Sequence, residues 1–415
     1  MGPLAGITVL DLSRILAGPW ATQCLADFGA TVWKIEKPGA GDDTRHWGPP
    51  WLRDGAGQDT REAAYYLSSN RGKRSLAIDF TQPAGRDLLR RLAARADVLV
   101  ENFKVGTLAR HGLGWSDLEP LNPRLVYCSI TAFGQDGPNA ADAGYDAMIQ
   151  AMSGLMSVTG IPDGQPGAGP QKVGVAVSDL MTGMYALTAV LGALYEREHS
   201  GRGQYIDLAL LDAQVAALAN LNLNYLVSGR LPERHGTAHP NIVPYQTFAT
   251  ADGWLMLAVG NDRQFADFCR IAGARELADD PRFRTNTARV ENRSVLIPRI
   301  AQLLQAQPTA SWLRELAQAQ VPCGPINDIG QMFAEPQVRH RGLRFDLPHA
   351  QGGRVPQVRN PVRYSRSEIE YRDPPPLLGE HTDAVLASEL GLSATELGEL
   401  RAPGVIGDSP LCLLP

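Results

Sequence analysis

The chain has 415 residues, of which 44% are hydrophobic and 20% charged, and its formal net charge is −5. This is the composition of a folded globular protein, so a disordered, collagen-like or coiled-coil chain is excluded. The mild acidic excess gives no electrostatic reason to expect nucleic acid as a partner. At about 150 residues per domain, the length predicts two or three domains.

The cysteines and the apolar segments bear on the cellular compartment. Five cysteines without close pairs fit neither a disulfide framework nor a zinc site, so we expect reduced thiols and no metal. The N-terminal residues lack the basic and apolar regions of a signal peptide. The most apolar window, residues 181–195, is shorter than a helix that spans a bilayer. We therefore expect a cytoplasmic protein that does not act at a membrane.

Strand-like and helix-like segments alternate through the first 130 residues. Predicted helices cover residues 20–28 and 81–94, and predicted strands cover residues 7–12, 31–35, 75–80, 97–100 and 124–130. Alternation at this spacing is typical of right-handed βαβ units. It predicts an α/β fold with a doubly wound parallel sheet.

The rest of the chain divides into three parts. Residues 144–226 have a mostly helical pattern, with a short strand at 204–209. A hairpin at 245–259 and the amphipathic helices after it indicate a smaller α+β domain over residues 230–325. The Pro-rich tail from Pro336 predicts an extended strap that packs on a folded domain.

Several familiar catalytic motifs do not occur in the sequence. There is no nucleophile elbow of the G-x-S-x-G type, no phosphate-binding P-loop and no H-E-x-x-H helix. Two G-x-G fragments, at residues 39–41 and 167–169, lack the third glycine and the strand–helix context of a dinucleotide site. A nicotinamide-dependent oxidoreductase is therefore a weak alternative.

Asp179 lies where an apolar strand-like stretch passes directly into a helix. One interpretation is structural, because an aspartate at a helix start accepts backbone N–H bonds and meets the positive end of the helix dipole. The other is catalytic, because a carboxylate held in this position can attack an activated acyl group. The small residues Gly174, Ala176 and Gly183 would leave room for a bulky substrate. Spacing does not decide between the two interpretations.

A set of cations lies at strand ends or in loops of the predicted βαβ region. Such a set is either a surface for nucleotide phosphates, since ligands of doubly wound sheets gather at the carboxyl ends of the strands, or a solvated face. The residues are Lys37, Arg71, Lys73, Arg74, Lys104 and Arg110.

A series of short motifs, in a fixed order, resembles the class III CoA-transferases, the family of formyl-CoA transferase and carnitine CoA-transferase. The resemblance extends from Leu4 to about Val405. Its motifs are residues 10–12 (LDL), 17–19 (AGP), 34–36 (KIE), 41–45 (GDDTR), 70–75 (NRGKRS), 97–103 (DVLVENF), 121–124 (LNPR), 144–146 (GYD) and 201–204 (GRGQ).

The resemblance implies a role for particular residues. The family nucleophile falls on Asp179, which would form a mixed anhydride and then an aspartyl-CoA thioester, with no prosthetic group. Backbone N–H groups at the helix start and at Gly260 would stabilise the oxyanions, and the loop around Gly260 would shield the acyl intermediates. The family's contacts to coenzyme A fall on Leu16, Ala17, Lys37, Ile78, Asp79, Thr81, Asn102, Phe103, Arg110, Tyr145 and Asp146.

The resemblance also implies an architecture. A large Rossmann-like domain would form from both chain ends, residues 1–229 and 326–415, with the small domain at residues 230–325 between them. Two chains would interlock as a homodimer. The other partners would be an acyl-CoA thioester and a free carboxylic acid.

Two alternatives and one question of substrate stay open at this point. An α-methylacyl-CoA racemase has a histidine before the residue that matches Asp146, whereas this chain has Tyr145, a poor base at neutral pH. A non-catalytic CoA-binding protein would be expected to lack Asp179. Within the family, the likeness is strongest to the branch that moves CoA from succinyl-CoA to glutarate or hydroxymethylglutarate.

A dicarboxylate acceptor needs a cation for its distal carboxylate. Arg45, His46 and Arg71 are candidates for that role. Arg45 could equally form a structural ion pair with Asp42 or Asp43.

Overall fold

The structure is a computed structural model, and it describes residues 1–408. The chain forms two compact units. The first comprises Met1–Leu155, Val173–Gly229 and the chain from Arg341 onward, and the second comprises Met156–Lys172 and Arg230–His340. Compared with the predicted boundaries, the second unit takes in Met156–Lys172 and continues to His340 instead of ending at residue 325.

Strands and helices alternate through the N-terminal part of the first unit, with short 3₁₀ helices at Asp43–His46 and Ala109–His111. The elements are β1 (Thr8–Asp11), α1 (Ala17–Asp27), β2 (Thr31–Glu36), β3 (Trp51–Arg53), β4 (Asp59–Ala63), α2 (Ala64–Leu67), β5 (Lys73–Ala77), α3 (Pro83–Ala93), β6 (Val98–Glu101), α4 (Trp115–Leu118) and β7 (Val126–Thr131).

The following segment, up to residue 229, is mostly helical. Its elements are α5 (Asp146–Met152), α6 (Leu155–Val158), β8 (Gly160–Ile161), β9 (Gly169–Pro170), α7 (Val177–Ser200), β10 (Tyr205–Ala209), α8 (Leu210–Ala217) and α9 (Asn220–Ser228).

A six-stranded sheet forms the centre of the first unit. Its order is β10-β7-β6-β1-β2-β5, and every neighbouring pair is parallel. The prediction of an α/β fold with a parallel sheet is therefore confirmed. The order runs outward from β1 in both directions, so β1 and β6 flank a switch point, where ligands of such sheets bind beyond the carboxyl ends of the strands.

Apolar side chains cover both faces of this sheet. Leu10 and Trp33 pack on one face in a cluster with α3, whereas Val9 and Val32 pack on the other with α1 and α7. Alternate residues of one strand point to opposite faces, so strands with helices on both sides are apolar at nearly every position. The sheet is doubly wound, as the sequence predicts.

Helix α7 carries Asp179 near its start and packs closely on α1. A Cβ atom at Gly183 would lie 2.7 Å from the carbonyl oxygen of Ala17 and 3.2 Å from Trp20 Cδ1. The expectation that Gly183 makes room for substrate is wrong, because α1 fills that space. Among the described residues, α7 is also the one helix long and apolar enough to span a membrane, a test that core helices of globular proteins pass as well.

The second unit has a small antiparallel sheet covered by helices. Buried side chains such as Phe265, Phe268 and Trp312 form its separate core. Its sheet has the order β11-β12-β13, where β11 is Tyr245–Ala249, β12 is Trp254–Ala258 and β13 is Cys323–Pro325. From residue 230 its elements are β11 (Tyr245–Ala249), β12 (Trp254–Ala258), α10 (Asp262–Ile271), α11 (Arg275–Asp279), α12 (Asn286–Glu291), α13 (Arg293–Leu304), α14 (Thr309–Gln318), β13 (Cys323–Pro325), α15 (Ile329–Ala334) and α16 (Pro336–His340).

The tail is more ordered than the predicted strap. It contains the hairpin β14 (Arg344–His349) and β15 (Gly353–Val358) and the helices α17 (Thr382–Leu390) and α18 (Ala394–Arg401), with irregular chain between them. After α18, Ile406 forms a bridge with Ile78 beside β5. The strap prediction was wrong for these elements, because the prolines are concentrated in the irregular segment between β15 and α17.

Thiols are free where the structure describes them. Cys24, Cys128 and Cys269 are buried and Cys323 is half-buried, whereas Cys412 lies outside the described residues. Burial raises the pKa of Cys24, Cys128 and Cys269 to about 12 in each case. These three side chains therefore act as small apolar groups of the two cores.

The close packing of α7 on α1 predicts opposite effects for two glycines of one helix. Gly183→Ala is expected to lower the free energy of unfolding by about 1–3 kcal/mol, because the added methyl group overlaps the carbonyl oxygen of Ala17 and crowds the Trp20 side chain. Gly192→Ala has open space and should raise it by about 0.5–1 kcal/mol through helix propensity. Urea unfolding at a fixed protein concentration measures both, and equal effects would contradict this account.

Candidate active site

Asp179 is the third residue of α7, and its side chain is half-buried. The residue before the helix, Ala176, provides no side-chain cap. Instead, Asp146 from α5 accepts hydrogen bonds from the backbone N–H groups of Ser178, at 2.8 Å, and Asp179, at 3.2 Å. The structural interpretation of Asp179 as a helix cap is therefore wrong, because Asp146 fills that role.

Gln150 fixes the orientation of the Asp146 carboxylate. Its amide donates to Asp146 Oδ2 at 2.6 Å, and its own Oε1 accepts a hydrogen bond from the N–H of Val173 at 2.9 Å. Gln150 is fully buried and Asp146 is half-buried, so the Gln150 side of this arrangement is shielded from water. Sequence reasoning missed Gln150, although it lies one helical turn after Asp146 and therefore on the same face of α5.

The carboxyl group of Asp179 forms no hydrogen bond or ion pair with any residue in the range 1–408 that the structure describes. Burial raises its pKa to about 7, and the negative charge of Asp146 adds to this effect. An ionisable group without a structural partner and with a pKa near neutrality is typical of catalytic positions.

The backbone donors at the start of α7 are already in use. Besides the two N–H groups bonded to Asp146, Val177 donates to the carbonyl of Val175, and Leu180 donates to that of Ala176. The expectation that these N–H groups stabilise an oxyanion is therefore wrong for this arrangement. Their role is to hold Asp146 beside Asp179.

Asp179 lines a cavity of about 160 Å³, the Asp179 cavity. Five of the residues predicted to contact CoA share this cavity, and they come from the ends of β1 and β6 and from the segment before α5. They are Leu16, Ala17, Asn102, Phe103 and Tyr145. The loops that follow β1 and β6 thus meet the nucleophile predicted on α7, at the switch point of the sheet.

A second cavity of about 470 Å³, the Lys37 cavity, lies beyond the ends of β1, β2 and β5. It is lined by Lys37, Ile78, Asp79 and Thr81, all predicted CoA contacts. Phe103 lines both cavities, and so does Arg14, which sequence reasoning missed. The two cavities are therefore neighbours, and a cation and an aromatic ring lie where they meet.

Asn102 joins β6 to the loop after β1. It accepts a hydrogen bond from Arg14 N at 2.8 Å and donates one to Arg14 O at 2.7 Å. The guanidinium of Arg14 lies 5.3 Å from the centre of the Phe103 ring and pairs with Asp43 at 2.8 Å. A signal for Arg14 was present in the sequence, because it is a cation just beyond the carboxyl end of a predicted strand.

The remaining predicted cations differ in their surroundings. Lys37 and Lys104 are exposed and line cavities, whereas Arg110 is exposed but lines neither the Asp179 cavity nor the Lys37 cavity. Lys73 is fully buried and pairs with Asp11 at 3.0 Å, so it belongs to the core of the sheet. Arg74 is also exposed and lines neither cavity, so Lys37 and Lys104 are the predicted cations that a phosphate bound in one of these two cavities could reach.

Arg45 and Arg71 are buried in ion pairs, which contradicts their tentative role in binding a substrate carboxylate. Arg45 binds both oxygens of Glu36 at 2.8 Å, not Asp42 or Asp43. Arg71 binds both oxygens of Asp27, at 2.9 and 2.7 Å. A guanidinium committed to two carboxylate oxygens inside the protein is not available to a ligand.

His46 is exposed, and its Nε2 lies 2.8 Å from the carbonyl oxygen of Ala40, a residue of the Lys37 cavity. It is the one tentative carboxylate-binding residue that remains accessible. No group of three or more His, Cys, Asp and Glu side chains in the described part of the chain could hold a metal ion.

Gly260 belongs to the second unit, just before α10. Its N–H donates to Gln264 Oε1 at 2.8 Å, so this donor is used within its own unit. The neighbouring Asn261 caps α10 by accepting from the N–H of Gln264. The shielding role of Gly260 stays a prediction.

Comparison with known proteins identifies the family. The model of CoA-transferase family III matches residues 4–382. The succinate–glutarate CoA-transferase of Agrobacterium fabrum is 52% identical over 93% of this chain and 95% of its own length. The human succinyl-CoA:glutarate CoA-transferase is 44% identical over 97% of this chain and 90% of its own length.

A solved structure has the same fold. The CAIB/BAIF family protein of Brucella suis is 47% identical, with a TM-score of 0.81 over 94% of this chain and 99% of that one. The named relatives are transferases, which favours transfer over the racemase alternative. The chain thus belongs to CoA-transferase family III, and it is a CoA-transferase.

Proposed function

We propose that the protein transfers CoA from succinyl-CoA to glutarate, with hydroxymethylglutarate as a second acceptor. The observation that carries this proposal is the unpartnered carboxyl of Asp179, which lines a cavity that shares Arg14 and Phe103 with the neighbouring Lys37 cavity. The choice of acids follows relatives whose names specify succinate or succinyl-CoA and glutarate.

The proposed mechanism exchanges activated acyl bonds. Asp179 attacks the thioester carbonyl of the donor, which gives a mixed anhydride and free CoA thiolate. The thiolate then attacks the aspartyl carbonyl of the anhydride, and this step forms an aspartyl-CoA thioester and releases succinate. The acceptor carboxylate attacks that thioester, and the returning thiolate cleaves the second anhydride at the acceptor's carbonyl. This step releases glutaryl-CoA and restores Asp179.

The two cavities suggest how coenzyme A lies. We place its phosphate-bearing end at the Lys37 cavity, where Lys37 is exposed beside Ile78, Asp79 and Thr81. The thiol end then reaches the Asp179 cavity along Phe103. The Asp179 cavity is also lined by residues predicted to contact CoA, namely Leu16, Ala17, Asn102 and Tyr145. Arg110 stays a predicted phosphate contact, and His46 stays the candidate for the distal carboxylate.

We also propose a homodimer, interlocked as in the family, in which the first unit, built from Met1–Leu155, Val173–Gly229 and the chain from Arg341 onward, forms the CoA-binding domain. Exposed apolar side chains on α9 support association, because Leu226 and Val227 are 71% and 82% exposed. The free thiols support a cytoplasmic location, where thiols stay reduced. The buried face of α7 supports its assignment as a core helix rather than a membrane anchor.

Replacement of the proposed nucleophile tests the mechanism. Asp179→Asn should reduce the transfer of CoA from succinyl-CoA to glutarate by about 10³-fold or more, because the amide cannot form the anhydride. Asp212→Asn is a matched control, since Asp212 is also the third residue of its helix, α8, and is exposed. It should retain nearly full activity. Normal transfer by Asp179→Asn would refute the assignment.

The raised pKa of Asp179 predicts a pH dependence. The reactive form is the carboxylate, so kcat/KM for succinyl-CoA should decrease with a one-proton slope as the pH falls below about 7. Asp146→Asn should move this limb to lower pH, because the neighbouring negative charge is removed. The amide oxygen can still accept the two backbone hydrogen bonds, although Gln150 loses its acceptor. Asp142→Asn, in the same cavity, should leave the limb in place. An unchanged limb in Asp146→Asn would contradict the stated cause.

Sedimentation tests the dimer. The wild-type protein should have twice the mass of one chain at micromolar concentration. The double variant Leu226→Glu/Val227→Glu should dissociate at concentrations where the wild type does not, because charges replace apolar side chains at the proposed contact. A single-chain mass for the wild type at all concentrations would refute the homodimer.

A further inference from the structure

The turn between β1 and α1 has an unusual backbone conformation at Ile15. Its φ is +71°, in the left-handed region, which is costly for a β-branched residue. Ile15 lines the Asp179 cavity together with Leu16 and Ala17, which follow it directly. A strained residue persists only where its surroundings hold it in place, and such residues cluster at functional sites.

Asp42 holds this turn at Ile15, next to Arg14, whose backbone is bound by Asn102. Both oxygens of its carboxylate lie within hydrogen-bond distance of Ile15 N, at 3.2 and 3.3 Å. Lys34 donates to Asp42 Oδ2 at 2.9 Å and to the carbonyl oxygen of Ser13 at 3.0 Å. The buried ion pair thus binds the backbone on both sides of Arg14, at the carbonyl oxygen of Ser13 and the N–H of Ile15.

The carboxylate of Asp42 is itself fixed and charged. It accepts hydrogen bonds from the N–H and the hydroxyl of Thr44, at 3.0 and 2.8 Å. Burial acts to raise its pKa, but Lys34 and Thr44 outweigh burial and hold the pKa of Asp42 at about 2. Both residues border the Lys37 cavity, but their side chains are 0% exposed, so they do not present their charges to a ligand there. Neither residue lines the Asp179 cavity, so their effect on that cavity must pass through the turn.

We infer that Asp42 is a positioning residue for coenzyme A, which acts by accepting the N–H of Ile15 and so holding Leu16 and Ala17 at the wall of the Asp179 cavity. This inference rests on the proposed function, in which that wall contacts CoA. Asp42 belongs to the motif at residues 41–45. From the sequence, the one role considered for Asp42 was that of an ion-pair partner of Arg45.

A matched pair of double variants tests the inference. Lys34→Met/Asp42→Asn and Lys34→Met/Asp42→Leu both remove the buried charges, but only the asparagine keeps an oxygen for Ile15 N. The probe is free CoA, titrated by calorimetry into the full-length protein. We expect the Kd for CoA to be about tenfold or more higher in the leucine variant than in the asparagine variant. At saturating substrate, kcat should differ between the two by less than about threefold.

Further variants separate positioning from general stability. Asp27→Asn disrupts another buried ion pair, with Arg71, at residues that line neither of the two cavities. It should lower the melting temperature and leave the Kd for CoA unchanged. If the leucine variant does not fold, Lys34→Met/Asp42→Ala takes its place in the comparison.

The outcomes distinguish this inference from the proposed function. Equal Kd values for the asparagine and leucine variants, with tight binding by the wild type, would overturn the positioning role and leave the proposed function standing. A wild type that neither binds CoA nor transfers it would overturn both. A higher KM for succinyl-CoA in the leucine variant, with kcat nearly retained, would support the inference.

Discussion

The site depends on one carboxylate that caps a helix to which it does not belong. Asp146 accepts the first backbone donors of α7, and Gln150 holds it there. A helix start needs such an acceptor, and an aspartate in its first turn could have supplied one itself. Since Asp146 meets that need, the carboxyl of Asp179 is left without a structural partner. Its availability for chemistry is thus a consequence of how α5 packs on α7.

Buried ion pairs prepare the other side of the site. Lys34–Asp42, Lys73–Asp11 and Arg45–Glu36 all lie at the strands β1, β2 and β5 or in the loops after them. Desolvation makes buried pairs of this kind a poor source of net stability, but it also makes any other geometry costly. They therefore fix the loops whose backbone and exposed side chains form the cavity walls. The net charge of −5 gives no indication of this internal arrangement.

Much of the sheet could be predicted because its strands are apolar on both faces and short connections separate them from helices. The strand bounds differ from the predicted ones by up to three residues, which is within the usual uncertainty at the ends of elements. The hairpin β14–β15 escaped prediction because the Pro-rich chain around it suggested an extended segment. Secondary structure from local pattern is thus reliable where burial is uniform and weak where tertiary contacts decide.

The candidate site was predictable to a different degree at each residue. Asp179 and the loop residues Asn102 and Phe103 could be placed from the order of motifs. Arg45 and Arg71 were misjudged because the sequence does not show which carboxylates bind them. Glu36, the partner of Arg45, ends β2, and Asp27, the partner of Arg71, ends α1, 44 residues earlier in the chain. Whether an arginine can bind a ligand depends on whether a carboxylate of the protein already binds it, and a single sequence does not show which carboxylate that is.

The same arrangement that frees Asp179 also sets its basicity. A carboxylate with an ordinary pKa would be fully ionised at neutral pH but would be a weak nucleophile, whereas a much higher pKa would leave too little of the reactive form. Burial and the charge of Asp146 bring the pKa of Asp179 to about 7, between these limits. Asp146 therefore serves two purposes at once. Its hydrogen bonds leave Asp179, the proposed nucleophile, without a structural task, and its charge raises the basicity of the Asp179 carboxylate.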